Sequence, residues 1–249
     1  MEINQQELAL ETSRLEMVCK KIETMLKEKR KSVDAYKEDV IEIRRSMWDN
    51  TAHVLSGEFD ETVEILQYIN QMKQDEKKHQ HTSAQIRKLE KLLDSPYFAR
   101  IDFVMDEFDE KEKIYIGMSS LLDDDTMDII IYDWRAPISS MFYEYELGEA
   151  SYQAAKRAVT GRVELKRQYK IQSSTLVYMF DSSIKIDDEI LQEMLSKNAD
   201  DKMKNIVISI QKEQDKIIRD EDTRVLIVQG AAGSGKTSIA LHRIAYLLY

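Results

Sequence analysis

The chain has 249 residues and a formal net charge of -10, which excludes indiscriminate wrapping of nucleic-acid phosphates but leaves room for a local basic groove or a basic protein partner. A single cysteine, Cys19, excludes an intrachain disulfide and fits a reducing, cytoplasmic setting. No run is long and apolar enough to cross a bilayer, and Met1, Glu2, Ile3 and Asn4 do not begin a signal peptide, so no membrane partner is expected.

Before Pro96 there is no proline, and Gly57 is the one glycine. Leu8, Leu15, Val18, Ile22 and Met25 recur at helical spacing. Val33, Tyr36, Val40, Ile43 and Met47 resume the seam after a polar interruption at residues 27–31. A second seam runs through Phe59, Val63, Leu66, Ile69 and Met72 and returns at Ile86, Leu89 and Leu93. Turn and capping residues at 49–58 separate the two, so residues 1–95 are predicted to form an antiparallel helical hairpin. Roughly 45 helical residues at ~1.5 Å each would make an arm of about 65 Å. Periodicity alone favours a spacer or dimerising coiled coil slightly over a probe that reaches into a partner. Glu58, Asp60 and Glu61 suit a helix start better than a metal site or a contact for a basic surface. Residues 73–85 are strongly polar, so the second helix should be solvated or loosened there. His79 and His81 face different sides of a helix, make a poor metal pair, and are expected at the surface.

The helical period stops at Asp94, Ser95 and Pro96. Residues 97–103, 113–118 and 128–134 read as strands separated by acidic turns, and further short strands are expected at 141–146, 161–169 and 174–180. Together they predict a β-rich module over residues 96–186. Asp123, Asp124 and Asp125 lack calcium-loop spacing and read as a solvated hairpin turn. Asp133, Trp134, Arg135, Ala136 and Pro137 read as a rigid corner, with a contact surface as the alternative. Lys156, Arg157, Arg162, Lys166, Arg167 and Lys170 form a local basic region that suits either nucleic-acid phosphates or a salt-bridged sheet surface.

Residues 187–195 and about 201–219 read as helices. The second carries Gln214, whose amide can donate to one adenine edge atom and accept from another, or simply face solvent. Val225, Leu226, Ile227 and Val228 predict a buried strand. It feeds Gly230, Ala231, Ala232, Gly233, Ser234, Gly235, Lys236, Thr237 and Ser238, and residues 239–246 continue as helix. Gly230, Gly235, Lys236 and Thr237 fit the G-x-x-x-x-G-K-[ST] phosphate loop. Glycines admit backbone conformations that let successive N–H groups converge on an anion, and a helix start adds its dipole. Lys236 offers a movable charge for the β- and γ-phosphates and Thr237 a hydroxyl for Mg²⁺. The expected ligand is a nucleoside triphosphate.

Gln214 upstream of the apolar run and the glycine loop resembles the start of the first motor domain of UvrD/Rep-type superfamily 1 helicases. The order of long hairpin, module with residues 97–103 and 133–137, then loop resembles, more narrowly, the HelD family of helicase-like RNA polymerase recycling factors. That resemblance covers essentially the whole chain. It implies a fold class of α+β leading into α/β: a coiled-coil arm at 1–95, the β-rich module at 96–186, and the start of a P-loop, RecA-like motor domain at 187–249. It implies an ATP-dependent factor that binds RNA polymerase and releases stalled or terminated complexes, with the arm entering the secondary channel and the bend near 50–61 directed towards the active site. DNA is an implied partner of the intact protein. By resemblance, Gln214 reads the adenine of ATP, the backbone of 230–238 holds phosphates with Lys236, and Thr237 coordinates Mg²⁺. Lys236 and Thr237 are thereby the implied catalytic residues. The family's acidic Mg²⁺ motif, its charge-stabilising arginine and its second motor domain are not found in this sequence, so the intact parent is expected to hydrolyse ATP and this chain alone is not. A DNA-translocating superfamily 1 helicase is the alternative function.

Overall fold

The computed structural model describes residues 5–54, 60–107, 110–155, 157–181, 212–231 and 233–249. They fall into two compact units, Glu16–Asp94 and Met1–Leu15 with Ser95–Tyr249.

Helix α1 spans Gln5–Val54 and α2 spans Asp60–Asp94. The polar run at 27–31 does not break α1, because Lys, Glu and Arg are good helix formers; losing the apolar seam removes packing, not propensity. Residues 49–54, expected in the connection, also stay helical. Asn50 and Thr51 lower propensity by only about 0.7 kcal/mol each, too little to end a helix this long. The rest of the expected connection, 55–59, lies outside the described residues.

Within the Glu16–Asp94 unit the helices run antiparallel. Arg30 pairs with Glu90 at 2.8 Å, and farther along α1 the Tyr36 ring meets that of His79, earlier in α2, at 4.8 Å. Val18, Cys19, Ile22, Met25 and Leu26 of α1 and Leu89 and Leu92 of α2 are buried at three- and four-residue steps. His79 is half-buried against Tyr36 rather than a surface residue, whereas His81 is exposed as expected. Residues 73–85 remain helical with mostly exposed side chains.

In the other unit a sheet follows α2. Its strands are β1 (Ala99–Met105), β2 (Lys111–Gly117), β3 (Leu121–Leu122), β4 (Ile129–Asp133), β5 (Gly148–Gln153), β6 (Ala158–Gln172) and β7 (Thr175–Asp181). Their order is β3-β4-β2-β1-β6-β5, with β7 also paired to β6. Among the described strands, only β2 and β4 pair in parallel. Long helices followed by a mixed, mainly antiparallel sheet give the chain the expected α+β character.

Alternation along β1 and β2 sends Ala99, Ile101, Phe103, Ile114 and Ile116 into an apolar core with Trp134, Met141 and Phe142. Arg100, Asp102 and Tyr115 occupy the alternate positions, and Arg100 and Tyr115 meet the first turns of α1 at Glu11. Arg100 bonds Asp102 through Nε at 2.5 Å and through its second terminal nitrogen at 2.7 Å, and it donates to Glu11. Tyr97 packs edge-on against Tyr115 and Tyr169 at 4.9 and 5.2 Å. Arg167 binds Asp181 at 2.6 Å and Glu7 at 2.8 Å. Gly161 of β6 is required by space: a Cβ there would stand 2.6 Å from the Phe103 ring and nearer still to the Val104 carbonyl.

Residues 141–146, expected as a strand, instead follow a 3-10 turn at Pro137–Ser139 and lie largely in α3 (Ser140–Glu144). Pro137 pre-sets the turn, and Met141, Phe142 and Tyr143 are buried in succession. A one-turn helix wedged into the core can do that; a strand with one solvated face cannot. Strand β5 has little strand propensity of its own and is fixed by its register against β6, with Glu149↔Arg162 and Ala150↔Gly161. The three-aspartate segment is the expected hairpin turn: the Asp123 side chain accepts the Asp125 N–H at 3.0 Å, and its carbonyl accepts that of Met127 at 2.9 Å.

Two helices follow, α4 (Lys212–Arg219) and α5 (Lys236–Leu247). The helix expected at 187–195, most of the one expected at 201–219, and the expected boundary at 186/187 lie outside the described residues. The run at 225–228 is not the buried strand expected: Val225 is 79% and Ile227 87% exposed, and no strand forms there. A strand needs partners for its N–H and C=O groups, and no described strand pairs with this run, so β-branched composition alone does not make one. Among the described residues, no helix is long and apolar enough to cross a membrane.

Candidate functional site

The loop ahead of α5 turns where its glycines allow. Gly235 is the N-cap of α5 in the left-handed conformation at φ 78°, and Gly233 is left-handed at φ 85°. A side chain at either position would be strained. At Gly230 the constraint is space, since a Cβ would lie 2.7 Å from Ser234 Oγ. The Ser234 N–H donates to the Ala231 carbonyl at 3.3 Å, and that of Ile239 to Gly235 at 2.9 Å, opening the helix. The N–H groups of the first turn have no partner one turn earlier and are the natural donors to an anion. Lys236 folds back over the loop, donating through Nζ to the carbonyls of Gly230 at 2.9 Å and Ala231 at 2.6 Å, with Ser234 Oγ 3.5 Å away. Thr237 is exposed, and the half-buried Ser238 accepts the His242 Nδ1–H at 2.6 Å through its carbonyl. Ala232 lies outside the described residues. Left-handed glycines, a glycine hemmed in by Ser234 and an ammonium already resting on the loop are features that fit a phosphate-bearing ligand.

Gln214, remote from the loop in sequence, is half-buried on α4, with Nε2 3.7 Å from where a Cβ on Gly235 would stand. Both helices are seated on the β module. Ile218 of α4 and Ile239 of α5 join the core of the sheet. Asp215 is fully buried and accepts Arg219 Nε at 3.0 Å. The terminal nitrogens of Arg219 donate to the carbonyls of Trp134 at 2.6 Å and Arg135 at 3.0 Å, and more weakly to that of Ala136 at 3.4 Å. Its guanidinium also lies over the Tyr246 and Tyr143 rings, at 5.3 and 5.9 Å. From α5, Arg243 donates to the Ile217 carbonyl in the last turn of α4 at 2.6 Å.

Residues 133–137 form the rigid corner that receives these contacts. Asp133 accepts Arg135 Nε at 2.8 Å and one of its terminal nitrogens at 2.6 Å, while the other terminal nitrogen reaches the Ala245 carbonyl at 3.2 Å. The Trp134 ring meets His242 edge-on at 5.6 Å. Burial lifts the Asp215 carboxyl to about 6 against the opposing pull of Arg219. Burial likewise keeps the Tyr143 hydroxyl protonated far above its usual range. Sequence reasoning missed Asp215, Arg219 and Arg243. The four-residue Asp215–Arg219 spacing was a readable ion-pair signal, but the carbonyls that Arg219 binds belong to another module.

The basic region is largely taken up by partners within the chain. Arg157 pairs with Glu107 at 2.8 Å, Arg162 with Glu164 at 2.9 Å, and Arg167 with Asp181 and Glu7. Lys166 donates to the Tyr145 carbonyl at 2.6 Å, and burial lowers its pKa. Lys170 lies over the Tyr178 ring at 5.5 Å, and Lys156 is outside the described residues. Of the two readings left open, these pairs support the salt-bridged sheet surface. Among the described residues, no group of three His, Cys, Asp or Glu side chains is arranged to hold a metal ion.

In comparison with known families, the model described as "DNA helicase IV HelD, N-terminal domain" matches residues 8–199, which include the β module and stop ahead of Gln214 and the loop. No curated protein matches the chain.

Proposed function

The chain belongs to the family of DNA helicase IV HelD N-terminal domains, and from that premise we propose that it is the leading part of an ATP-dependent, helicase-like factor that binds RNA polymerase and promotes its release from stalled or terminated complexes. The observation that carries the nucleotide half of this reading is the loop at 230–237. Its left-handed Gly233 and Gly235 lead into α5, and Lys236 and Gln214 sit beside it. The backbone N–H groups of 230–238 and Lys236 would hold the phosphates of ATP, Thr237 would ligate Mg²⁺, and Gln214 would read the adenine edge. When bound, ATP supplies the phosphoanhydride whose hydrolysis drives the intact motor. In this chain the described residues can bind and orient it, whereas completing phosphoryl transfer needs further charge-stabilising groups from the motor. The segment at 187–249 is accordingly proposed as the opening of a P-loop motor domain, and the 225–228 run, exposed at Val225, Leu226 and Ile227, as a strand that pairs once its sheet neighbours are present.

The polymerase half rests on the family and on the antiparallel helical unit Glu16–Asp94, proposed to enter the secondary channel. The family's description as a DNA helicase favours a second reading, translocation on DNA by ATP hydrolysis. Two measurements test the proposal. Calorimetric titration with Mg-ATP should show binding that Lys236→Ala removes, without turnover by this chain. Co-precipitation of purified RNA polymerase should succeed with the chain and fail when Glu16–Asp94 is replaced by a short linker. Retained capture would sink the channel reading, and ATP binding indifferent to Lys236 would sink the loop reading.

A further inference from the structure

Arg219 is not part of the phosphate-loop motif, yet it joins the helix of Gln214 to the β module. An arginine presents its donors in a planar fork, so one that holds a carboxylate on its own helix and carbonyls from a distant corner has a fixed orientation. Arg219 meets both conditions, with Nε on Asp215 and its terminal nitrogens on Trp134, Arg135 and Ala136. It ends the eight-residue helix α4, whose third residue is Gln214. Over so short a helix, the direction of the Gln214 amide follows from where Arg219 is seated. The same corner holds α5, through the Arg135 bond to the Ala245 carbonyl and the packing of Trp134 on His242. Arg243 then ties α5 to α4 at Ile217. The offset between Gln214 and the glycine loop is therefore set by residues 134–136, outside both.

Resting on the nucleotide reading above, we infer that Arg219, backed by Asp215, is a positioning residue for adenine recognition: it seats α4 on the Trp134–Ala136 carbonyls and so holds Gln214 in register with the phosphate loop. Base selectivity then depends on Arg219, whereas the grip on phosphate does not.

The test is calorimetric titration of the full chain with Mg-ATP, Mg-GTP and inorganic triphosphate, for the wild type, Gln214→Ala, Arg219→Lys and Arg219→Ala. Arg219→Lys keeps a positive charge beside Asp215 but offers a single ammonium where the fork was. The expected result is triphosphate affinity within about twofold of wild type and a preference for ATP over GTP reduced about tenfold, as in Gln214→Ala, the scale of one lost hydrogen bond to the base. An unchanged preference in Arg219→Lys overturns the inference, as does a wild type with no preference. Equal weakening for all three ligands also overturns it, because that marks a purely structural role. Arg219→Ala should move further in the same direction; if circular dichroism shows it unfolded, Arg219→Lys decides. A wild type that binds neither ATP nor triphosphate sinks the nucleotide reading itself, whereas one that binds both, with Arg219→Lys indifferent, sinks this inference alone.

Discussion

Replacing Arg100 by methionine tests whether charge pairing holds the sheet to the first turns of α1. Arg100 is 6% exposed, and the carboxylates it serves, Asp102 and Glu11, are 2% and 4% exposed. Methionine keeps much of the side-chain volume and removes the charge. Lys111 remains 3.2 Å from Asp102, and Arg167 remains 3.8 Å from Glu11. Removing one partner of a buried pair costs about 3–5 kcal/mol, and the remaining cations place this loss near the lower figure. A pH signature goes with it. Burial would raise the Asp102 carboxyl, but Arg100 and Lys111 outweigh it and hold it below the usual range. In the wild type its stabilisation is therefore present above the unfolded-state carboxylate pKa and is lost as pH falls through the lowered folded value. Without Arg100, burial is opposed less, the Asp102 carboxyl protonates more readily, and the deficit shrinks on acidification. Urea unfolding at about pH 7.5 and 4.5 measures both effects. Trp48→Phe in each protein leaves the buried Trp134 as the only tryptophan reporter. A loss below about 1 kcal/mol at the higher pH, or an equal loss at both, would refute the reasoning.

Two further outcomes follow from the packing. The Asp215 carboxyl, lifted by burial to about 6 from an ordinary 3.8, favours the fold most below the unfolded value, and that contribution is lost as pH rises through the folded one. Asp215→Asn should flatten the decline in thermal midpoint across this window, and an unaltered slope in matched melts would count against a buried, perturbed carboxyl. Gly161→Ala sets a methyl against the Val104 carbonyl and the Phe103 ring, and because the former is backbone it cannot swing aside. Overpacking of this kind costs about 1–3 kcal/mol, and a urea midpoint equal to wild type would contradict the Met105↔Gly161 register.

Helices α1, α2, α4 and α5, the main strands and the three-aspartate turn were legible because each is dictated locally, by apolar period or turn chemistry. What the sequence hid was mostly non-local. Strand β5 exists because Ala150 faces Gly161, not because of its own residues. The run at 225–228 has the composition of a strand without a ladder. Pro137 marked the corner, but a strand was read into 141–146 where successive buried residues pack as a helical turn. At the candidate site, Gly230, Gly235, Lys236 and Thr237 could be read from spacing alone. The nearness of Gln214 to Gly235 was suggested only by resemblance, and the seating of Arg219 on Trp134 joins residues 85 apart. Glu11 and Arg100, 89 apart, were beyond any local pattern.

Strand β6 has a consequence for how this unit comes apart. It is laced to β5 along 158–163, to β1 along 161–168 and to β7 along 167–172, so its stretches overlap from one neighbour to the next. Releasing any one neighbour leaves β6 fastened by another, and freeing it wholly requires all three to let go. Deuterium from solvent should thus reach the amides near its middle last, at a rate governed by opening of the whole sheet rather than by fraying at an edge.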